Sequence, residues 1–359
     1  MHSTEFRNVV AAKTLKYGYI HCFETSIDCE QVSDPSMGKV LKNRKFVAAV
    51  ALFFVVLLGP YLWSRALSSS ARIQVFESSD AQAGPVKETL RVACYNIAHC
   101  RGLAESNWDG GDAATRLVRL DDIAELLREI DADIVVLNEV DFDTSWSNNV
   151  NQAAFLAEKA GYRFHVEERN LDFRVLHRTW RFGNAILSKY PIAEAAVVDL
   201  PSFNDLETTF AGKKRGVRCD VSVGEQTFRV FGLHLSHRSE NVRELSAQHV
   251  VDLVRESPHP CVVMGDMNSI PPGFPKSSQT SDGKNAIQTF DDSAELHRIE
   301  IEAPEDDMAL TFRSDKPEII IDWIYLSPSL SFKSHRVEPS LLSDHRPVVA
   351  QVQSTGSNP

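Results

Sequence analysis

The chain has 359 residues, 43% of them hydrophobic and 24% charged, enough to bury one large core with segments to spare, so a single globular domain is the default reading. A net charge of -11 and a pI near 5.6 exclude a broad basic footprint, and with it a protein built for tight, sequence-independent binding of duplex DNA. Phosphoester chemistry stays open, because an acidic enzyme recruits divalent cations that offset repulsion from an anionic substrate.

Residues 1–45 have no sustained period and end in the basic cluster Lys39, Lys42, Arg44 and Lys45. Eighteen uncharged residues follow, Phe46 to Trp63. At 1.5 Å per residue they reach about 27 Å, close to the roughly 30 Å of a bilayer core. Positive charge before the run and only Arg65 close behind it put the N-terminus in the cytoplasm and the rest outside, with Tyr61 and Trp63 at the interface. Met37 opens a second reading, a signal sequence cleaved between Ala66 and Ala71. A buried core helix is disfavoured because the run has no polar face. Anchor or signal, the expected location is single-pass membrane or secreted, with the catalytic part extracytoplasmic. Residues 66–87 read as a linker, and the catalytic domain is expected over 88–355.

Arg91 to Ile97 is the first expected strand, and Gly102 to Asp112 a loop. Leu117, Leu120, Ala124, Leu127 and Ile130 recur at helical spacing and predict a helix that packs on a sheet. Asp133 to Leu137 is the next strand, an order that suggests a layered α/β fold. Asn149 to Ala160 reads as a helix stopped by Gly161. Beyond it, Arg174, Arg178 and Arg181 interleave with Phe173, Trp180 and Phe182, either a nucleic-acid groove or a charged hairpin over an apolar edge. Gly183 to Ser188 is a short strand stopped by Pro191. The polar loop 199–216 carries Lys213, Lys214 and Arg215, a solvated face unless it borders a site, where it could hold a phosphate. Val217 to Val223 and Phe228 to Leu235 form a hairpin around Gly224, Val242 to Val254 a helix, and Pro260 to Gly265 a strand. The irregular segment from Ile270 to Leu310 is read as a rim that selects substrate. Of six cysteines, none has zinc-type spacing. Cys94, Cys219 and Cys261 lie in apolar runs as buried thiols, with a Cys94 to Cys100 disulfide as the alternative.

Several apolar runs close abruptly on oxygen or nitrogen ligands: Arg91 to Asn96, Ile134 to Glu139, Phe231 to His234, Val262 to Asp266, Ile319 to Asp322, and Leu341 to Asp344-His345. Asp266 and Asn268 would face the same way at the two-residue period of a strand. Glu139, alone at a strand end, suits a hard cation that takes few protein carboxylates plus waters. Asn96 could ligate the metal or hydrogen-bond a phosphate oxygen. His234 sits where a strand stops, whereas His237, Asp141 and Asp143 read as structural or loop residues. Asp344 and His345 point apart if extended, so His345 needs another acid to set its tautomer, and Asp322 is the candidate.

The segments Tyr95-Asn96-Ile97, Leu137-Asn138-Glu139-Val140, Gly232-Leu233-His234, Gly265-Asp266-Met267-Asn268, Ile321-Asp322-Trp323-Ile324 and Ser343-Asp344-His345-Arg346-Pro347 stand in the order used by the endonuclease/exonuclease/phosphatase superfamily. From about residue 88 to 355 the chain resembles that DNase I-like family. The resemblance implies a four-layer sandwich, two mixed β-sheets with helices outside. It also implies Mg²⁺, with Mn²⁺ as a substitute, held by Glu139, Asn96 and Asp344. Asp266 then resembles the group that orients or deprotonates the attacking water, Asn268 the one that holds it, and His234 a second imidazole on the phosphate. His345, held by Asp322, resembles the residue that stabilises the developing charge or protonates the leaving oxygen. Two positions depart from the family pattern: Asn138 stands where Gln is usual, and Trp323 where Tyr or His is usual.

The expectation is therefore a membrane-tethered Mg²⁺-dependent phosphoester hydrolase acting on a lipid headgroup or other small phosphodiester. An extracytoplasmic nuclease and a non-catalytic binding module on the same fold are the alternatives. A monomer is expected, and no protein partner can be inferred.

Overall fold

The structure, a computed structural model, describes residues 35–67, 72–78, 84–175, 177–204, 212–302 and 307–355. Cys22 and Cys29 lie outside these residues. Helix α1 (Pro35–Leu67) contains the segment Asn43–Trp63, long and apolar enough to cross a membrane and with none of it buried against protein.

Twelve strands among the described residues form two mixed sheets. The first has seven: β1 (Ile73–Glu77), β4 (Phe164–Val175), β5 (Arg178–Ser188), β3 (Ile134–Asp141), β2 (Thr89–Asn96), β12 (Val348–Ser354) and β11 (Leu330–Val337), in that spatial order. The second has five: β10 (Asp322–Leu326), β9 (Cys261–Asp266), β8 (Gln226–His234), β7 (Arg215–Val223) and β6 (Ile192–Asp199).

The runs that look continuously apolar in the sequence do so because each strand is buried on both faces. In β9, Val262 and Met264 join the core between the sheets, while Cys261 and Val263 face the outer helices. In β3, Ile134 and Val136 point inward and Val135 and Leu137 outward. Helices α2 (Ala113–Ile130) and α3 (Gln152–Ala160) cover the first sheet, through Leu120, Ile123, Leu127 and Leu156. Helices α4 (Glu240–Arg255) and α5 (Ala286–Asp291) cover the second, through Val250, Val254, Ile287 and Phe290. Each such side chain contributes roughly 1.5–3 kcal/mol by leaving water. The result is the expected four-layer sandwich.

Local signals set the helix ends. Asp112 caps α2 by accepting from Thr115 N, Asn151 caps α3 by accepting from Ala154 N, and Gly161 ends α3 at a φ of 80°. Leu117, counted in the expected stripe of α2, is 39% exposed, and Ile123, left out of that stripe, is buried. Cys94, Cys100, Cys219 and Cys261 are free and buried, so the Cys94 to Cys100 disulfide is not formed.

The expected linker 66–87 needs correcting. Its residues Ile73 to Glu77 form an edge strand antiparallel to β4, Phe76 stacks on His165 at 4.7 Å, and Lys87 pairs with Asp133. A five-residue strand cannot hold together alone, but it completes a sheet edge that already exists. A chain starting at Arg72 should fold as a soluble unit, while one starting at Glu88 should lose about 2 kcal/mol of stability in urea unfolding. Equal midpoints would show that β1 is dispensable.

Candidate active site

Sheet register brings the ligand-bearing residues to one end of the sandwich. Asn96 and Asn138 are partners across parallel β2 and β3, and His234 and Asp266 across parallel β8 and β9. Asp322 corrects the strand-end expectation: it begins β10 rather than closing a strand, yet antiparallel pairing sets it opposite Asp266. Asp344 and His345 likewise precede β12, which runs antiparallel to β2.

Glu139 is not a strand end either. It lies within β3 at a bulge between Leu137 and Val140, with a φ of 52°. A bulge breaks the alternation of the strand and re-aims a side chain, and here it lets Glu139 face the cleft. Gly265 serves the same end of β9: at its φ of 137° a Cβ would stand 2.1 Å from Leu233 O, so only glycine admits the bend before Asp266. Asn268 follows with a φ of 49°.

A cleft of about 510 Å³ opens here, lined by Glu139, His234, Asp266, Asn268, Asp344 and His345 among others. Asp322 and Asn96 stand behind it, both 1% exposed. His345 Nδ1 donates to Asp322 Oδ2 at 2.9 Å, and His345 Nε2 lies 3.8 Å from Asp266 Oδ2. Asp266 is held from several sides. Asn96 Nδ2 donates to its Oδ2 at 3.1 Å, Asn268 N donates to its Oδ1 at 2.9 Å, and its own N donates to Asn138 Oδ1 at 3.0 Å. His234 Nε2 lies 3.6 Å from Asp266 Oδ2 and 3.9 Å from Glu139 Oε1.

Charge states follow from these neighbours. Burial alone would strip His345 of its proton, but the carboxylates of Asp322 and Asp266 outweigh burial and push the imidazole up to about 10. Burial raises Asp266 to about 7, against the pull of His345. His234 is driven well below its ordinary value by burial and by Lys214 nearby, so it stays neutral. Glu139 is buried too, yet His99 and Arg101 hold its carboxyl below the usual range.

Sequence reasoning missed two of these neighbours. His99 Nδ1 donates to Asp141 at 2.7 Å and presents Nε2 to Glu139 at 3.4 Å. Arg101 spans the cleft floor, with Nη1 3.1 Å from Glu139 and Nη2 2.8 Å from Asp344. Their only signal was proximity to Asn96. Lys214, from the basic loop, does reach the site, 3.5 Å from His234 Nε2, whereas Lys213 pairs with Asp199 on the surface. Asn138 and Trp323, the two departures, are buried supports outside the cleft lining.

The donor set fits a hard divalent cation. Glu139 and Asp344 converge on a single cationic group, Arg101, showing that the site concentrates carboxylate oxygens around positive charge. Asn96 offers less than expected: its Oδ1 accepts from Ala98 N and its amide serves Asp266. A second cluster, Asp266, Asp322 and His345, has ligand atoms within 4.8 Å of one another. Its imidazole Nδ1 is already committed to Asp322, which suits proton handling better than ligation.

A cleft of carboxylates and imidazoles at one end of a four-layer sandwich offers the proton-transfer and cation-holding groups that phosphoester hydrolysis uses. Residues 93–345 match the endonuclease/exonuclease/phosphatase family model, and the chain belongs to that family, which is generally metal-dependent. Three solved structures illustrate the shared fold. A family protein from Beutenbergia cavernae is 20% identical over 76% of this chain and 73% of its own, with a TM-score of 0.54. The human Nocturnin catalytic domain, solved with a bound sulfate anion, is 16% identical over 80% of this chain and 100% of its own, with a TM-score of 0.52. A mannosyl-6-phosphatase of Bacteroides thetaiotaomicron is 18% identical over 73% of this chain and 99% of its own, with a TM-score of 0.51. No curated protein matches the chain.

Proposed function

We propose that this protein is a membrane-tethered, Mg²⁺-dependent hydrolase of small phosphoesters, phosphodiesters foremost, acting outside the cytoplasm. One observation carries the reading: a buried carboxylate, Asp266, stands between the imidazole of His345, 3.8 Å away, and that of His234, 3.6 Å away. Water activation and leaving-group protonation need such a pairing of base and acid. The cleft volume of about 510 Å³ suits a headgroup-sized ligand better than a duplex.

Glu139 and Asp344, with Asn96 behind them, would hold Mg²⁺ or Mn²⁺, which supplies Lewis-acid neutralisation of phosphate charge when bound. The chain's own groups do the rest. Asp266, fixed by Asn96 and Asn268, orients the attacking water and takes its proton. Asn268, its Nδ2 tied to Leu235 O, holds the water's position. His345, kept protonated by Asp322, stabilises the charge that builds on phosphorus oxygens and gives its proton to the departing oxygen. Neutral His234, with Nε2 3.5 Å from Lys214 Nζ, borders the phosphate position, and Arg101 and Lys214 add fixed positive charge.

The full chain, solubilised in detergent, should hydrolyse bis-p-nitrophenyl phosphate with Mg²⁺, lose turnover in EDTA and recover it on adding Mg²⁺ or Mn²⁺. Turnover that ignores EDTA would remove the metal from the reading. No turnover under any condition would favour a binding module.

A further inference from the structure

The Arg and aromatic residues between 173 and 182 have no part in the chemistry above, and the fold places them tellingly. Asn170 on β4 and Phe182 and Gly183 on β5 line the cleft. Both strands then continue past it, pairing Asp172 with Arg181, Phe173 with Trp180 and Arg174 with Thr179. Five further residues at about 3.3 Å each carry this hairpin roughly 16 Å beyond the cleft floor. Near its tip are the half-buried rings of Phe173 and Trp180, 5.9 Å apart, together with Arg174 and exposed Arg178.

Two observations tie this hairpin to the last turns of the apolar helix, from Leu57 on. The ring of Tyr61, in the last turns of the candidate span, lies 6.4 Å from that of Phe173. The chain also enters the first sheet at the cleft end: Ile73 pairs with Glu168, and Arg169 N donates to Arg72 O at 2.9 Å. Between Leu67 and Ile73 only residues 68–72 intervene, a reach of at most about 22 Å. A tether that short holds the cleft end, and not the opposite end, near the surface that the helix enters. Trp108, 58% exposed, and Leu341, 61% exposed, stand on two other loops that carry cleft residues.

We propose that the β4–β5 hairpin seats in the bilayer interface and holds the mouth of the cleft against it, so that the substrate is a phosphoester headgroup displayed by a membrane lipid. Aromatic rings that belong half in apolar and half in wet surroundings, flanked by arginines, are the composition this boundary selects. The inference rests on the phosphoesterase and membrane readings above and adds which surface delivers the substrate.

The test uses the full chain reconstituted in vesicles of four parts phosphatidylcholine to one part phosphatidylglycerol, with bromines on the upper acyl carbons. Trp180 is one of five tryptophans, and Trp180→Phe should remove about a third of the bromine-quenched signal if Trp63 and Trp108 supply the rest. Unchanged quenching would place the hairpin in water and overturn the proposal. In the second arm, Arg174→Ser/Arg178→Ser should slow headgroup release from the same vesicles roughly tenfold and leave bis-p-nitrophenyl phosphate turnover within twofold of the parent. Equal loss on both substrates, or loss only of single-stranded DNA binding, would overturn it as well. Quenching without any turnover of the soluble diester would sink the hydrolase reading and leave the hairpin's placement standing.

Discussion

Replacing His345 by Ala should lower kcat on the order of 10³-fold while the protein stays folded. The imidazole carries a transferable proton and is wedged between two carboxylates, Asp322 at 2.9 Å and Asp266 at 3.8 Å. Losing it removes the proton donor and the positive charge together. Asp322→Asn tests how the charge is maintained. An amide accepts the same hydrogen bond but brings no charge, so the imidazole should titrate well below its parent value of about 10. Carbon-resolved NMR of the metal-free protein reads that shift directly. A drop in kcat with an unmoved imidazole would mean that Asp322 only positions the ring. Near-parent turnover in His345→Ala would take away the assigned acid.

Asp266→Asn should be comparably inactive and yet no less stable than the parent at pH 8. The carboxylate is 2% exposed, and burial raises it to about 7. A raised carboxyl holds its proton in the folded state over a range where the unfolded chain has released it, so its contribution to stability falls as pH climbs from about 4 to about 7. Above that window the folded protein carries a charge whose desolvation opposes folding, and an amide lifts the cost. The Oδ1 that accepts from Asn268 N is kept in the variant, whereas the Oδ2 that accepts from Asn96 Nδ2 becomes a donor, which offsets part of that gain. Turnover and urea unfolding at pH 8 should thus move independently: activity lost, midpoint held or raised. A marked fall in the midpoint would mean that Asp266 is structural, and the loss of activity would then say nothing about water activation.

Strand positions were legible where both faces of a strand are buried, because a run such as Cys261 to Met264 has no polar break to disguise it. Strands of mixed pattern were not. In β6 the burial alternates irregularly, with Glu194 exposed among apolar neighbours, and in β11 the Ser331-Phe332-Lys333-Ser334 stretch carries a bulge that shifts the register. Edge strand β1 was read as linker because it meets the core mainly through Ile73, with Val75 and Phe76 partly in water. Each of these acquires its conformation from a neighbour supplied by a distant part of the chain.

By itself the amino-acid sequence determined which residue types stand at the cleft end of each apolar run and the family to which they belong, because the side-chain period of a strand is a local property. Only the tertiary structure decided that Asp322 meets His345 from a strand's first residue behind the cleft, that a bulge turns Glu139 inward, and that Arg101 meets Asp344 across 243 positions. It also decided the charges on Asp266 and His345. Proton affinity answers to burial and to neighbours a few ångströms away in space, and sheet register, not spacing along the chain, selects those neighbours.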